Sequence, residues 1–189
     1  IHMRVPRIFI FDIIDSNDEY ILDRDKSHYL KNVLRLKTSM KVRLFNGSGY
    51  EYLGIINKIS KNSVNVAVLS KEEKNNESPL KVNLIIAISR ASKFDYLIQK
   101  LTELGVSSIT PIQSERSEIK IRSKDQSKKI EHWEKIAISA CQQCDRDGPP
   151  KIHWIGNFSS TVTTRSENAK FMLEPSALSL IHISEPTRP

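Results

Sequence analysis

Apolar residues recur at helical intervals through the middle of the chain, at Phe94, Leu97, Ile98, Leu101 and Leu104, and the pattern stops at Gly105. This spacing predicts an amphipathic helix. Short apolar runs bounded by breakers flank it at residues 82–88 and 107–112, as strands of a parallel sheet buried on both faces should be. The three pieces make a strand, helix, strand unit with an expected right-handed crossover. The N-terminal third reads differently. Residues 7–12 and 19–23 are β-like runs separated by a turn at Ser16, Asn17 and Asp18, and Asp25, Lys26 and Ser27 start a helix whose Leu30, Val33 and Leu34 form one stripe. Strands follow at 40–45, 51–59 and 64–69, punctuated by Asn46-Gly47-Ser48-Gly49 and Lys61-Asn62. Several short strands, tight turns and one helix predict a small β-barrel.

Residues 71–79 carry no large apolar side chain and end in a proline, which marks a solvated linker between domains at 3–70 and 80–177. In the second domain a long helix is expected at 124–143, with Ile130, Trp133, Ile136, Ala137 and Ala140 on its core face. Short strands are expected at 152–155 and 169–173, the latter closing at Glu174-Pro175. The fold class is therefore a β-barrel followed by an α/β domain.

Both strands of the central unit deliver basic residues to one edge: Arg90 and Lys93 after the first, Arg116 after the second. Ligands of open parallel sheets bind beyond the carboxyl ends of the strands, so this edge is the natural candidate site. A loop arginine such as Arg116 can grip a phosphate or stabilise developing negative charge, or it can form a structural ion pair with Glu115 or Glu103. The net charge of +7 over 189 residues favours a polyanionic partner. A composition of 39% hydrophobic and 27% charged residues is that of a globular protein. No apolar run is long enough to cross a bilayer and no leader pattern opens the chain, so a cytoplasmic location is expected. Two cysteines, Cys141 and Cys144, fall inside the long helix without a second ligand pair, which favours packing over a metal or redox site; no metal is expected. His28 has no nucleophile to activate, and Asp95 and Glu103 are eight residues apart, too far to act as a pair on adjacent turns. Glycine-rich phosphate loops are missing from the sequence.

The stretches K-F-D-Y-L-I-Q-K-L-T-E-L-G-V (93–106), P-I-Q-S-E-R-S (111–117) and W-E-K-I-A-I-S-A-C-Q-Q-C-D-R (133–146) closely resemble the RsmE family of bacterial 16S ribosomal RNA methyltransferases. So do R-V-P-R-I-F (4–9), H-Y-L-K-N-V-L-R (28–35) and L-F-N-G-S-G (44–49), in the same order. The resemblance implies a PUA-like RNA-docking barrel, a SPOUT-type methyltransferase domain, S-adenosylmethionine as cofactor, and methylation of N3 of a uridine in 16S ribosomal RNA or the small subunit by a homodimer. It assigns RNA contact to Arg4 and Arg7, which flank Pro6, and to Arg35, Arg90, Lys93, Arg116 and Arg146. Leu173, Glu174 and Pro175 resemble the first lip of the cofactor pocket. The family's G-P-E-G-G and I-L-R-x-E-T-A segments do not follow them, so a C-terminally truncated, impaired or inactive enzyme is expected. Residues 1–2 read as a tag scar before Met3, and residues 178–189 as a non-native tail. The alternative reading is a non-catalytic ribosomal-RNA-binding module or a small-subunit assembly factor.

Overall fold

The computed structural model describes residues 5–12, 19–74, 76–114, 119–157 and 161. The N-terminal region is one curled sheet of strands β1 (Arg7–Phe9), β2 (Glu19–Leu22), β3 (Lys41–Phe45), β4 (Tyr50–Ile59) and β5 (Val64–Glu73) in the order β1-β3-β4-β5-β2. β1 runs parallel to β3, and the other pairs are antiparallel. The barrel expected from the strand pattern is thus a half-barrel, with β1 and β2 at its two ends. Register shifts at Leu53/Gly54 and Ile56/Lys58 add local twist to the long β4–β5 ribbon. Gly54 is required there, because a Cβ would fall on the Val66 side chain. Alternate residues Ile8, Ile10, Val42, Leu44, Tyr52, Ile56, Val64 and Val66 fill the concave face together with Leu22 and Leu30.

Helix α1 (Arg24–His28) begins where the Asp23 carboxylate accepts from the Lys26 amide at 2.8 Å. It is shorter than expected, passing directly into a wide π-type turn at Tyr29–Val33 that seats Leu30 in the core. Ser27, buried, donates to Leu22 O (3.0 Å) and accepts from Val64 N (2.9 Å), so one hydroxyl ties helix to sheet. The linker expected at 71–79 is partly strand, since β5 continues through Glu73 and pairs Lys71, Glu72 and Glu73 with Tyr52, Glu51 and Tyr50. An antiparallel ribbon can face water, so polar residues do not end it.

The second region is built on the parallel strands β6 (Asn83–Ala87), β7 (Ser108–Gln113), β8 (Lys151–Ile152) and β9 (Gly156–Asn157). Helix α2 (Ala91–Glu103) connects β6 to β7, as the sequence pattern predicts. It ends at Gly105, whose φ of 88° is the left-handed conformation that favours glycine. Helix α3 (Gln126–Cys144) packs on α2 through Trp133, whose ring centroid lies 4.7 Å from that of Phe94. Phe94, Ile98, Ile109, Trp133 and Ala137 form the centre of this second core. Of the strand expected at 152–155 only Ile152 is in one, at the end of β8, while 153–155 are irregular and β9 follows them; the strand expected at 169–173 lies outside the described residues. No described helix is long and apolar enough to cross a membrane.

Candidate nucleic-acid interface and the domain junction

β6 and β7 lie side by side in register, Asn83 opposite Ser108 and Ala87 opposite Ile112, so both finish at one sheet edge. Arg90 is the residue before α2, and its carbonyl accepts from the amides of Lys93 (2.9 Å) and Phe94 (3.0 Å). Arg90 and Lys93 are both exposed at this edge. Gln113, closing β7, donates from its side chain to Ile121 O at 2.8 Å and anchors the start of α3's leading segment. Arg116 lies outside the described residues, as do Arg4, Leu173, Glu174 and Pro175. Arg35 is exposed and adopts a positive φ of 53° just after the π-type turn.

Arg7 and Arg146 are placed quite otherwise than the RNA-contact role implied for them. Arg7 is 5% exposed. Its Nε pairs with Glu51 Oε1 at 2.5 Å, NH1 donates to Cys141 O (2.9 Å), NH2 to Arg146 O (3.0 Å), and the guanidinium lies 4.1 Å from the Phe45 ring centroid. The half-barrel thus holds the C-terminal turn of α3, where orphan carbonyls need donors. Arg146, also buried, closes a bidentate pair with Glu77 (3.1 and 2.8 Å) and donates to the carbonyls of Thr102 (3.1 Å) and Val106 (2.9 Å). One arginine therefore gathers the linker and the end of α2 onto the end of α3. With their donors directed at protein groups, both side chains act as a joint between the domains. Gln142 Oε1 accepts from Phe9 N at 3.1 Å across the same junction.

Glu51 is the counterpart that the sequence reading missed. It is 2% exposed, and besides Arg7 it takes Arg43 NH1 at 2.5 Å and Lys74 Nζ at 3.5 Å. Burial alone pushes its carboxyl upward, but hydrogen bonds from Arg43 and Arg7 outweigh that and hold it below the usual carboxylate range. Glu77 is lowered in the same way, burial being overcome by Arg146. A signal existed: between Lys26 and Lys71 nine lysines and arginines are accompanied by a single acid, Glu51. The buried Cys141 thiol is pushed up to about 12, mainly by burial, which makes it an unreactive packing group. Two cavities open at this junction, one of about 250 Å³ beside Glu77, Leu104, Cys144 and Arg146, the other of about 280 Å³ between Val5, Arg7, Arg43, Lys74 and Asp145. Among the described residues no three His, Cys, Asp or Glu side chains are grouped to hold a metal ion.

A half-barrel docked on a parallel α/β domain with a basic strand edge defines a two-domain RNA-modifying protein. The comparisons agree: an RNA methyltransferase domain model matches residues 76–186, running on through 178–186, and an RNA methyltransferase PUA domain model matches residues 22–69. The ribosomal RNA small subunit methyltransferase E of Buchnera aphidicola subsp. Acyrthosiphon pisum is 37% identical, over 98% of this chain and 74% of its own length. A methyltransferase from Legionella pneumophila, solved in complex with the cofactor SAM, superposes with a TM-score of 0.89 at 32% identity, covering 93% of this chain and 72% of that one. The ribosomal RNA small subunit methyltransferase E of Neisseria gonorrhoeae, bound to S-adenosyl methionine, gives 0.77 at 28% identity, covering 84% of this chain and 65% of that one. The chain belongs to the ribosomal RNA small subunit methyltransferase E (RsmE) family.

Proposed function

We propose that this chain methylates N3 of a uridine in 16S ribosomal RNA, with S-adenosylmethionine as donor. The observation that carries the reading is the shared finish of β6 and β7 at an edge bearing Arg90 and Lys93, in a chain of RsmE membership. That edge suits an anionic ligand: the buried carboxylates among the described residues, Glu51 and Asp147, both lie at the domain junction instead. When bound, S-adenosylmethionine supplies an electrophilic methyl group. The chain's own part is to dock the RNA through the half-barrel, orient the target base with Arg90 and Lys93, and balance charge on a uracil losing its N3 proton, a role assigned to Arg116. Leu173, Glu174 and Pro175 are assigned to the cofactor pocket. A homodimer working in the cytoplasm, where ribosomal RNA is made, completes the proposal.

The test is methyl transfer from isotopically labelled S-adenosylmethionine to 16S RNA transcribed in vitro, followed by digestion to nucleosides. Label in 3-methyluridine is the expected result. Label in another nucleoside overturns the position, and RNA binding without cofactor binding or label replaces the reading with that of a non-catalytic RNA-binding protein.

A further inference from the structure

We infer that Arg146 is a positioning residue: by holding the half-barrel in one orientation on the second domain, it sets which uridine of a docked RNA reaches the edge carrying Arg90 and Lys93. The inference rests on the reading above and concerns the choice of nucleotide. Arg146 stands where three parts of the chain meet. Its carbonyl accepts from Arg7 NH2 of the half-barrel (3.0 Å), its Nε and NH2 fork onto Glu77 of the linker (3.1 and 2.8 Å), and its NH1 donates to the carbonyls of Thr102 (3.1 Å) and Val106 (2.9 Å). Thr102 lies in the last turn of α2, and Val106 comes just before β7. These are the two elements whose other ends form the candidate edge.

The chain on both sides of Arg146 is clamped to the half-barrel as well. Before it, Cys141 O accepts from Arg7 NH1 and Gln142 Oε1 from Phe9 N, while Cys141 packs with Phe9 and Phe45. After it, Gly148 meets Gly47 of the β3–β4 turn so closely that a Cβ at Gly148 would lie 3.1 Å from the Gly47 Cα. The linker is tied to the same segment, Asn76 N donating to Asp147 Oδ2 (3.2 Å) and Asn76 Nδ2 to Asp145 O (3.2 Å). Replacing a largely buried ion pair by well-packed apolar groups is often neutral for stability, so what the Arg146–Glu77 fork adds is a fixed orientation. Leverage makes orientation matter: α2 extends about 20 Å from its Arg146 end to its Arg90 end at ~1.5 Å per residue, so a tilt of about 5° at the joint moves the edge by roughly 2 Å. A misplacement of about 1 Å can cost on the order of 100-fold in rate, which is enough for one base to lose its place to another nearby.

The experiment compares the unmutated chain with Arg146→Lys, with Glu77→Gln and with Val64→Ala, the last of which opens the half-barrel core away from the joint. Each is checked for a cooperative urea transition and then assayed at saturating S-adenosylmethionine for RNA affinity, kcat and the position of 3-methyluridine in 16S RNA transcribed in vitro. The result expected for Arg146→Lys is RNA affinity within about twofold, kcat lower by roughly tenfold or more, and label at other uridines nearby. Glu77→Gln moves the same readouts in the same direction by less, and carries the comparison if Arg146→Lys does not fold. Val64→Ala lowers the urea midpoint and leaves the labelled position unchanged. Label confined to the original uridine in the folded joint variants overturns this inference alone, and so does an equal redistribution in Val64→Ala, which makes the effect one of lost stability. Failure of the unmutated chain to methylate the RNA overturns the reading above and this inference with it.

Discussion

The junction and the distal pole of the half-barrel are made from the same residue types and use them in opposite ways. At the junction Arg7, Arg43 and Lys74 surround the buried Glu51 carboxylate, and Arg146 forks onto the half-buried Glu77. At the pole Lys31, Arg35, Lys37, Lys41, Lys58 and Lys61 share a stretch of chain whose one acid, Glu51, is buried at the junction. The difference lies in which strand end carries the acid: Glu51 begins β4 and Lys58 nearly ends it. Charge thus holds the two domains together at one end and remains available to a ligand at the other.

The largest effect is expected from Glu51→Ala. Removing the buried member of this ionic cluster leaves Arg7 with only the more exposed Asp145, 3.5 Å away, and losses of a buried partner amount to about 3–5 kcal/mol. Urea unfolding measures it, and a loss under 1 kcal/mol would mean that the junction is held by apolar contacts alone. Arg146→Met comes next, at about 2–3 kcal/mol, because Glu77 and the carbonyls of Thr102 and Val106 lose their donors. Arg146→Lys does not restore it, since an ammonium lacks the planar fork; full recovery in the lysine variant would show that charge without geometry suffices.

Acid should loosen the junction before the half-barrel core. Glu51 and Glu77 bind protons more weakly folded than unfolded, so their stabilisation is complete above the ordinary value of about 4.5 and is lost as pH falls through their lowered values. Asp147, raised chiefly by burial, works in the opposite sense. Unfolding midpoints taken downward from pH 5 should fall in the native chain and flatten in Glu51→Gln; parallel curves would remove Glu51 as the cause. Iodoacetamide at neutral pH should leave Cys141 unlabelled until the chain unfolds, because a buried thiol near 12 offers almost no thiolate. Peptide mapping reads this directly. The smallest effect belongs to the pole, where glutamine at Lys37, Lys58 or Lys61 should change stability by no more than about 0.5 kcal/mol.

Much of the fold is legible because its periods are strong. α2 and α3 follow from apolar spacing, and the cores of β3, β4, β6 and β7 lie where alternation or short apolar runs place them. Sheet pairing of polar residues has no such signature, which is why β5 runs into the expected linker, and the π-type turn after α1 continues a helical stripe without announcing its geometry. The role of an arginine is harder still. Arg7 and Arg146 read like Arg90 and Lys93 in sequence, but their partners are 40 to 139 residues away and come together only in the folded chain. Exposed cations at turns and strand ends are the ones a sequence can place.

Lysine acetylation with and without 16S RNA, read by mass spectrometry, tests most directly whether the two ends divide the work of the charges. Lys37, Lys41, Lys58 and Lys61 should lose reactivity when RNA is added while Lys74 at the junction stays as it was. Protection of Lys74 with the four pole lysines unchanged would contradict the account.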